Sequence, residues 1–186
     1  MSDPFTQTGV RAGMAAYLQE GILHIPDARI RLDLSCAVAV DLSIDSIEIR
    51  HTDETGEALL LLISEALTAA DAEHSLVPFA TGATGNMYTK FLAPRLQNLV
   101  MSVARGEFDT AEKAAAGCAG CGIGLTPSSD DLLTGYFATL HLLFRAQKLF
   151  QEKTHISNMA RAAAARTNAV SAAFLLHSGQ GLANEA

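Results

Sequence analysis

Positive charge is scarce in this chain of 186 residues: 13 lysines and arginines stand against 20 aspartates and glutamates, a formal charge of −7. Proteins that grip a phosphate backbone do so with clustered cations, so nucleic acid is excluded as a general partner. Long apolar runs are missing as well. The longest uncharged stretch of helical character, Leu132 to Phe144, has 13 residues, short of the roughly 20 that cross a bilayer, so no membrane partner is expected. Cysteine is sparse. Cys36, Cys118 and Cys121 are too few for a disulfide scaffold, and Met1-Ser2-Asp3-Pro4 opens no basic-then-apolar export signal, so a reducing, cytoplasmic setting is expected. What the chain does have is 49% hydrophobic residues with only 18% charged, which excludes a disordered polymer. Its length suits one domain, or two small subdomains sharing a core that buries roughly two-thirds of the unfolded surface.

The first 75 residues read differently from the rest, with a break near residues 72–80. Gly9 to Gln19 reads as a short helix ending near Gly21. From Arg29 the pattern alternates: Ile30, Leu32, Leu34, Cys36, Val38, Val40 and Leu42 fall on one face, with Arg29, Arg31, Asp33, Ser35 and Asp41 between them. That period of two predicts a half-buried strand. Ser43 to Ser46 reads as a turn into Ile47 and Ile49, hence a hairpin, closed by the Thr52–Gly56 cluster. Ala58 to Ala70 is apolar nearly all round and predicts a buried helix, with a buried strand at Leu59 to Ile63 as the lesser alternative.

Beyond Phe79 the chain reads as helices. Asn86 is the expected N-cap of a helix whose Tyr88, Phe91, Leu92, Leu96, Leu99, Val100 and Val103 share a stripe, ended by Gly106. Asp109-Thr110-Ala111-Glu112 resembles a capping box for a helix to about Gly117. Thr126-Pro127 fits N-cap followed by N1, where proline loses no hydrogen bond. The helix it starts has a large apolar face (Leu133, Phe137, Leu140, Phe144) and a small one (Asp131, Gly135, Ala138, Leu142), the mark of a central bundle helix. Thr167 or Asn168 restarts the last helix, with Val170, Ala173, Phe174 and His177 on one side and Gly179 as C-cap. The fold class is therefore α+β: a small N-terminal hairpin or sheet, residues 1–75, packed on a mainly helical region, residues 76–186.

Chemistry concentrates in one stretch, Gly120-Cys121-Gly122-Ile123-Gly124-Leu125-Thr126-Pro127-Ser128-Ser129-Asp130-Asp131. Glycines let a backbone turn tightly, and the following helix start offers N–H groups, the positive dipole end and three hydroxyls: a place for a phosphate or a carboxylate. The plainer alternative is an ordinary helix start after a flexible loop, with the aspartates offsetting the dipole. Those aspartates would repel an anion unless a cation lies between, yet as a pair they could hold Mg²⁺ or orient a substrate amide. No Gly-Lys-Ser/Thr follows either glycine-rich loop and no strand precedes this one, so a nucleotide is unsupported.

The segment Gly122 to Gly135 resembles the signature of the DUF2877 family, roughly G-x-G-L-T-P-S-G-D-D-F-L-x-G; Asn86 with its helix and Thr167-Asn168-Ala169-Val170-Ser171 resemble two further family stretches. Ser129 stands where the family has glycine, and Ile123 where proline is common. The likeness covers about residues 80–182. It implies a bacterial protein similar to the small subunit of oxamate carbamoyltransferase, an enzyme of purine (allantoin) breakdown that converts oxalurate and phosphate to oxamate and carbamoyl phosphate with two larger subunits. On that reading the chain binds a small anionic substrate, has larger protein partners and needs no cofactor, Mg²⁺ being the one candidate. Gly122, Gly124, Thr126, Ser128 and Ser129 would cradle the anion, with Asn86 and Thr167 beside them, and Asp130 or Asp131 would handle the amide proton. Among Lys90, Arg95, Arg161 and Arg166, the last is preferred as carboxylate partner because it precedes Thr167-Asn168.

Other residues offer less. Cys118-Ala119-Gly120-Cys121 has metal-like spacing but no second ligand pair, and reads as two plain thiols. His141 reads as a packed histidine within its helix. The rival to the transferase reading is a non-catalytic assembly subunit or a metabolite-binding module.

Overall fold

The computed structural model describes residues 9–11, 13–38, 40–44, 53–70, 73, 75–82, 85–149 and 152–183. The chain divides into two compact units, Met1–Asp41 and Leu42–Ala186.

The first unit holds a three-stranded antiparallel sheet in the order β1-β2-β3: β1 (Tyr17–Gln19), β2 (Ile22–Ile25) and β3 (Ile30–Asp33). Gln19 pairs with Ile22 across a two-residue turn, with Glu20 at φ 52° and Gly21 at φ 76°. Paired positive φ values are what a right-twisted hairpin needs. The expected helix over Gly9–Gln19 is thus replaced, at its C-terminal end, by a strand: Tyr17 stacks on His24 with ring centroids 5.0 Å apart, a cross-strand contact that helical periodicity does not register. A short 3₁₀ turn, Pro26–Ala28, leads into β3.

β3 ends at Asp33, nine residues earlier than the Ile30–Leu42 alternation predicts. The physical reason is local. The Asp33 carboxylate accepts from the Ser35 backbone N–H at 2.9 Å, an Asx turn that competes with the ladder. The same bonds hold its carboxyl below the ordinary range. Val38 and Val40 are left exposed. The expected hairpin partner with Ile47 and Ile49 lies outside the described residues.

The second unit is helical: α1 (Asp53–Ala69), α2 (Val77–Thr81), α3 (Met87–Ala104), α4 (Phe108–Cys118), α5 (Ser128–Ala146), α6 (Lys153–Ala164) and α7 (Ala169–Ser178). The class is α+β, as expected. α4 packs between α3 and α6, α6 between α4 and α7, and α5 lies mainly against α7 and α6. Leu92 and Leu99 from α3, Ala115 from α4, Leu133 and Phe137 from α5, Ile156 and Met159 from α6, and Leu175 from α7 close one core. Each large side chain removed from water there contributes about 1.5–3 kcal/mol.

Several expectations shift. On the small face of α5, Gly135 has no close neighbour among the described residues: an added Cβ would meet nothing within 4 Å. Close approach occurs instead at Gly179, where an added Cβ would lie 2.3 Å from the Ala160 Cβ. α7 buries Ser171, Leu175 and Ser178, not the side carrying Val170, Phe174 and His177. α4 starts at Phe108 after Glu107, with no side-chain cap, so Asp109 sits in its first turn rather than capping it. α1 does form, beginning within the residues read as a closing turn, but it is not buried. Leu59, Leu60, Leu61 and Leu62 are 56–68% exposed.

Candidate functional site

The site is built where α4 stops and α5 begins. Ala119 leaves the helix with φ −65° and ψ 149°, and Gly120, Gly122 and Gly124 follow at φ 77°, 140° and 100°. Gly122 is required by the fold itself: a Cβ there would sit 2.5 Å from the backbone nitrogen of Ser128. The loop therefore folds onto the start of α5. The Cys121 carbonyl accepts from the Ser129 N–H at 3.0 Å, and the Cys121 N–H donates to Ser129 Oγ at 2.8 Å. Ser129, found where the family pattern has glycine, is 1% exposed, and its hydroxyl fastens the loop. Proline takes the N-cap place one residue later than expected: α5 is capped by Pro127, whose carbonyl accepts from the N–H groups of Asp130 and Asp131. Several first-turn donors of this helix are thus engaged within the chain.

Asp130 ties the loop to the turn between α6 and α7. It is 1% exposed. One oxygen accepts from the Gly120 N–H at 2.7 Å and the other from the Thr167 hydroxyl at 2.5 Å. Asn168 caps α7 by accepting from the N–H groups of Val170 and Ser171, and its amide donates to the Leu125 carbonyl at 2.8 Å. Gly120 makes room for this clamp: a Cβ there would stand 3.0 Å from the Arg166 carbonyl oxygen. Asp131, next in sequence, faces outward and is exposed. Partial desolvation and the charge of Asp130 push its carboxyl above the ordinary 3.8, partly offset by a hydrogen bond from Thr126. Ser128 is half-buried, and Gly124 opens onto free space.

Against this loop lies the start of α3. Met87, Tyr88 and Phe91 form one wall and Ala119, Gly120, Cys121 and Gly122 the other, around a cleft of about 510 Å³. Asn86 sets this wall as the N-cap of α3: its Oδ1 accepts from the Thr89 N–H at 2.9 Å and its Nδ2 donates to the Ser75 carbonyl at 2.7 Å. The structure thus brings Ser129, Asp130 and Thr167 into one hydrogen-bonded knot with Gly120 and Cys121, packs Gly122 against the Ser128 nitrogen and sets Asn86 at the base of the facing helix.

The cations sort differently from the sequence expectation. Arg166 is exposed, and it faces the loop with its backbone carbonyl. Lys90 is exposed as well, and Arg161 donates to Asn158 on its own helix. Arg95 is the one whose charge reaches the loop, where it favours ionisation of both Cys118 and Cys121. Burial outweighs it. The Cys118 thiol is pushed up to about 11, and Cys121 is raised as well, chiefly by desolvation and further by Asp130. Tyr88, Phe91 and Cys121 are site residues that the sequence reading missed. The available signal was the Phe91–Arg95 spacing of four on α3, which places both on one helix face.

A second cavity of about 580 Å³ lies along Val103, Tyr136, Leu140 and Phe144 and contains none of the loop residues. Burial raises the Tyr136 hydroxyl to about 12. His141 is 3% exposed, and its Nε2 lies 3.1 Å from the Gly179 carbonyl, the packed placement expected of it. Among the described residues no three His, Cys, Asp or Glu side chains gather as a metal site, and no helix is long and apolar enough to cross a membrane.

A family model described as oxamate carbamoyltransferase subunit AllH matches residues 118–186. No curated protein matches the chain, and no solved structure does.

Proposed function

We propose that this chain serves as a subunit of a carbamoyltransferase of the oxamate type, acting on oxalurate and phosphate to give oxamate and carbamoyl phosphate in company with larger subunits. One observation carries the reading. The family match begins at Cys118, and the loop, Asp130, Thr167 and Asn168, which hold one another through Asp130 and the Asn168 amide, all fall inside it.

The reaction makes three demands on a protein. Phosphate oxygen bonds to the carbamoyl carbon, the carbon–nitrogen bond of oxalurate breaks, and the departing oxamate nitrogen gains a proton. A cradle must hold the phosphate, donors must polarise the carbamoyl oxygen, and an acid must supply the proton. In this reading Gly124, Thr126 and Ser128 line the open side of the loop and hold the anion. Asp131 carries the proton, donating it in this direction and accepting it in the reverse. Its raised carboxyl suits a group that must exist in both forms. Asp130, with both oxygens engaged, positions the loop rather than reacting. Mg²⁺, if used, would meet Asp131 and the substrate's own oxygens.

Thermal unfolding of the purified chain tests the reading, with phosphate, carbamoyl phosphate, oxamate and Mg²⁺ added singly and together. A ligand at 100 times its Kd stabilises by about 2.7 kcal/mol. Carbamoyl phosphate is expected to raise the Tm of the wild type and not that of Thr126→Val. An equal rise in both would remove the helix start from the site.

A second reading, the non-catalytic assembly subunit, draws on α1. Four consecutive leucines, Leu59–Leu62, more than half exposed are unusual for a chain that works alone. Turnover of the assembled enzyme that is indifferent to changes in the loop would favour this reading.

A further inference from the structure

We propose that Arg95 is the specificity-determining cation of the cleft and that it selects a carboxylate-bearing ligand by a two-pronged hydrogen bond. The inference rests on the carbamoyltransferase reading only in its choice of oxamate as probe; the geometry stands apart from it.

Arg95 is held, yet only partly used. Its guanidinium carbon lies 3.7 Å from the centroid of the Phe91 ring, and Phe91 forms part of the cleft wall. Its Nη1 donates to the Phe91 carbonyl at 2.6 Å. Stacking and that bond fix the plane of the group and lower the entropy lost on engaging a ligand. They also leave one edge: among the described residues Nε and Nη2 have no acceptor, and the guanidinium has no carboxylate partner. That pair of parallel N–H groups is the fork that matches the two oxygens of a carboxylate.

An alternative duty for an arginine beside the end of α4 is to complement that helix's dipole. The bond that would show this is made elsewhere: Nη1 turns back to its own helix, to Phe91. Its place beside the loop follows from its neighbours: a Cβ built on Gly117, at the end of α4, would lie 3.9 Å from Arg95 Nε, and the Phe91 ring it stacks on lines the cleft. A ligand gripped here would lie across Cys121, with its far end toward Gly122 and the start of α5. One end carries a planar anion and the other meets the loop. That arrangement selects a short ligand with a terminal carboxylate over its neutral amide counterpart.

Cys121 supplies the readout. In the full-length chain, alkylation by iodoacetamide is followed thiol by thiol by mass spectrometry, with exposed Cys36 as internal reference. Oxamate is expected to slow labelling of Cys121 at least fivefold without changing Cys36, and oxamide, its uncharged counterpart, is expected to leave both unchanged. Arg95→Gln should raise the half-protecting oxamate concentration at least tenfold. Arg95→Lys should fall between, because an ammonium keeps the charge and loses the fork. Should Arg95→Gln melt early, Phe91→Leu, which removes the platform and keeps the cation, is expected to weaken protection severalfold. Equal protection of wild type and Arg95→Gln, protection by oxamide as strong as by oxamate, or no protection by oxamate, acetate or succinate would each overturn the proposal. Arg95-dependent protection by acetate or succinate, with none by oxamate, would uphold it while counting against the carbamoyltransferase reading.

Discussion

Asp130 and Asp131 are adjacent carboxylates with opposite surroundings. Asp130 accepts from a backbone N–H and a hydroxyl on two separate segments and is shut away from water. Removing it orphans both donors, so Asp130→Ala should lower stability by about 3 kcal/mol in urea unfolding. Its neighbour stays at the surface, where the proposed function gives it the proton. A pair of aspartates at a helix start is visible in the sequence, but which one is buried depends on Thr167, 37 residues away, and no local pattern encodes that. The choice among cations fails for the same reason. Arg166 adjoins Thr167 in sequence, yet the chain direction there turns its carbonyl, not its guanidinium, to the loop. Cys118 allows a test by pH. Its thiol is raised from 9.0 to about 11 by burial, so the unfolded chain ionises first as pH rises. Stability from this group is complete below about pH 9 and is lost as pH climbs toward 11. Wild type should lose on the order of 1–2 kcal/mol between about pH 8 and pH 10.5 beyond whatever Cys118→Ala loses, measured by urea midpoints.

At the scale of elements, the loop between α4 and α5 is a folded device rather than a slack connection. Glycine at 122 lets the chain pass against the Ser128 nitrogen at a φ of 140°. Gly122→Ala should therefore cost at least about 2 kcal/mol and displace the whole loop. A Tm equal to the wild type would mean that the backbone is not so tightly placed. The sequence reading placed this glycine in an anion cradle; the structure gives it a second duty, since a Cβ there would meet the chain itself. Helices with long apolar stripes were legible, because α3 carries seven matches to a 3.6-residue period and α5 four, and Asn86 caps as its side chain suggests. β1 was not legible. Three residues are too few to show a period, and its pairing is set by the Glu20-Gly21 turn. Alternation overran β3 for a different reason, since a period of two persists in the side chains after Asp33 has captured the Ser35 N–H.

On the scale of the whole molecule, the helical unit assembles a stable core and leaves two things exposed: the loop cleft and α1. Apolarity all round a helix was read as burial, since in a lone chain that is where such a helix belongs. Leu59 to Leu62 are exposed instead, the observation from which the assembly-subunit proposal starts. The matched stretch contains the loop, α5, α6 and α7, whereas Asn86, Phe91 and Arg95 come from outside it. One cleft thus joins a recognised segment to an unrecognised wall. The most direct measurement is carbamoyl transfer by the assembled enzyme, wild type against Asp131→Asn, across pH. Run from carbamoyl phosphate and oxamate, the direction in which Asp131 accepts the proton, the wild type should lose kcat/KM as acid protonates a carboxyl whose pKa lies above the ordinary 3.8, and the variant should lose turnover by about a thousandfold or more with an unchanged Tm. A variant that turns over as fast as the wild type, with the same acid limb, would contradict the account.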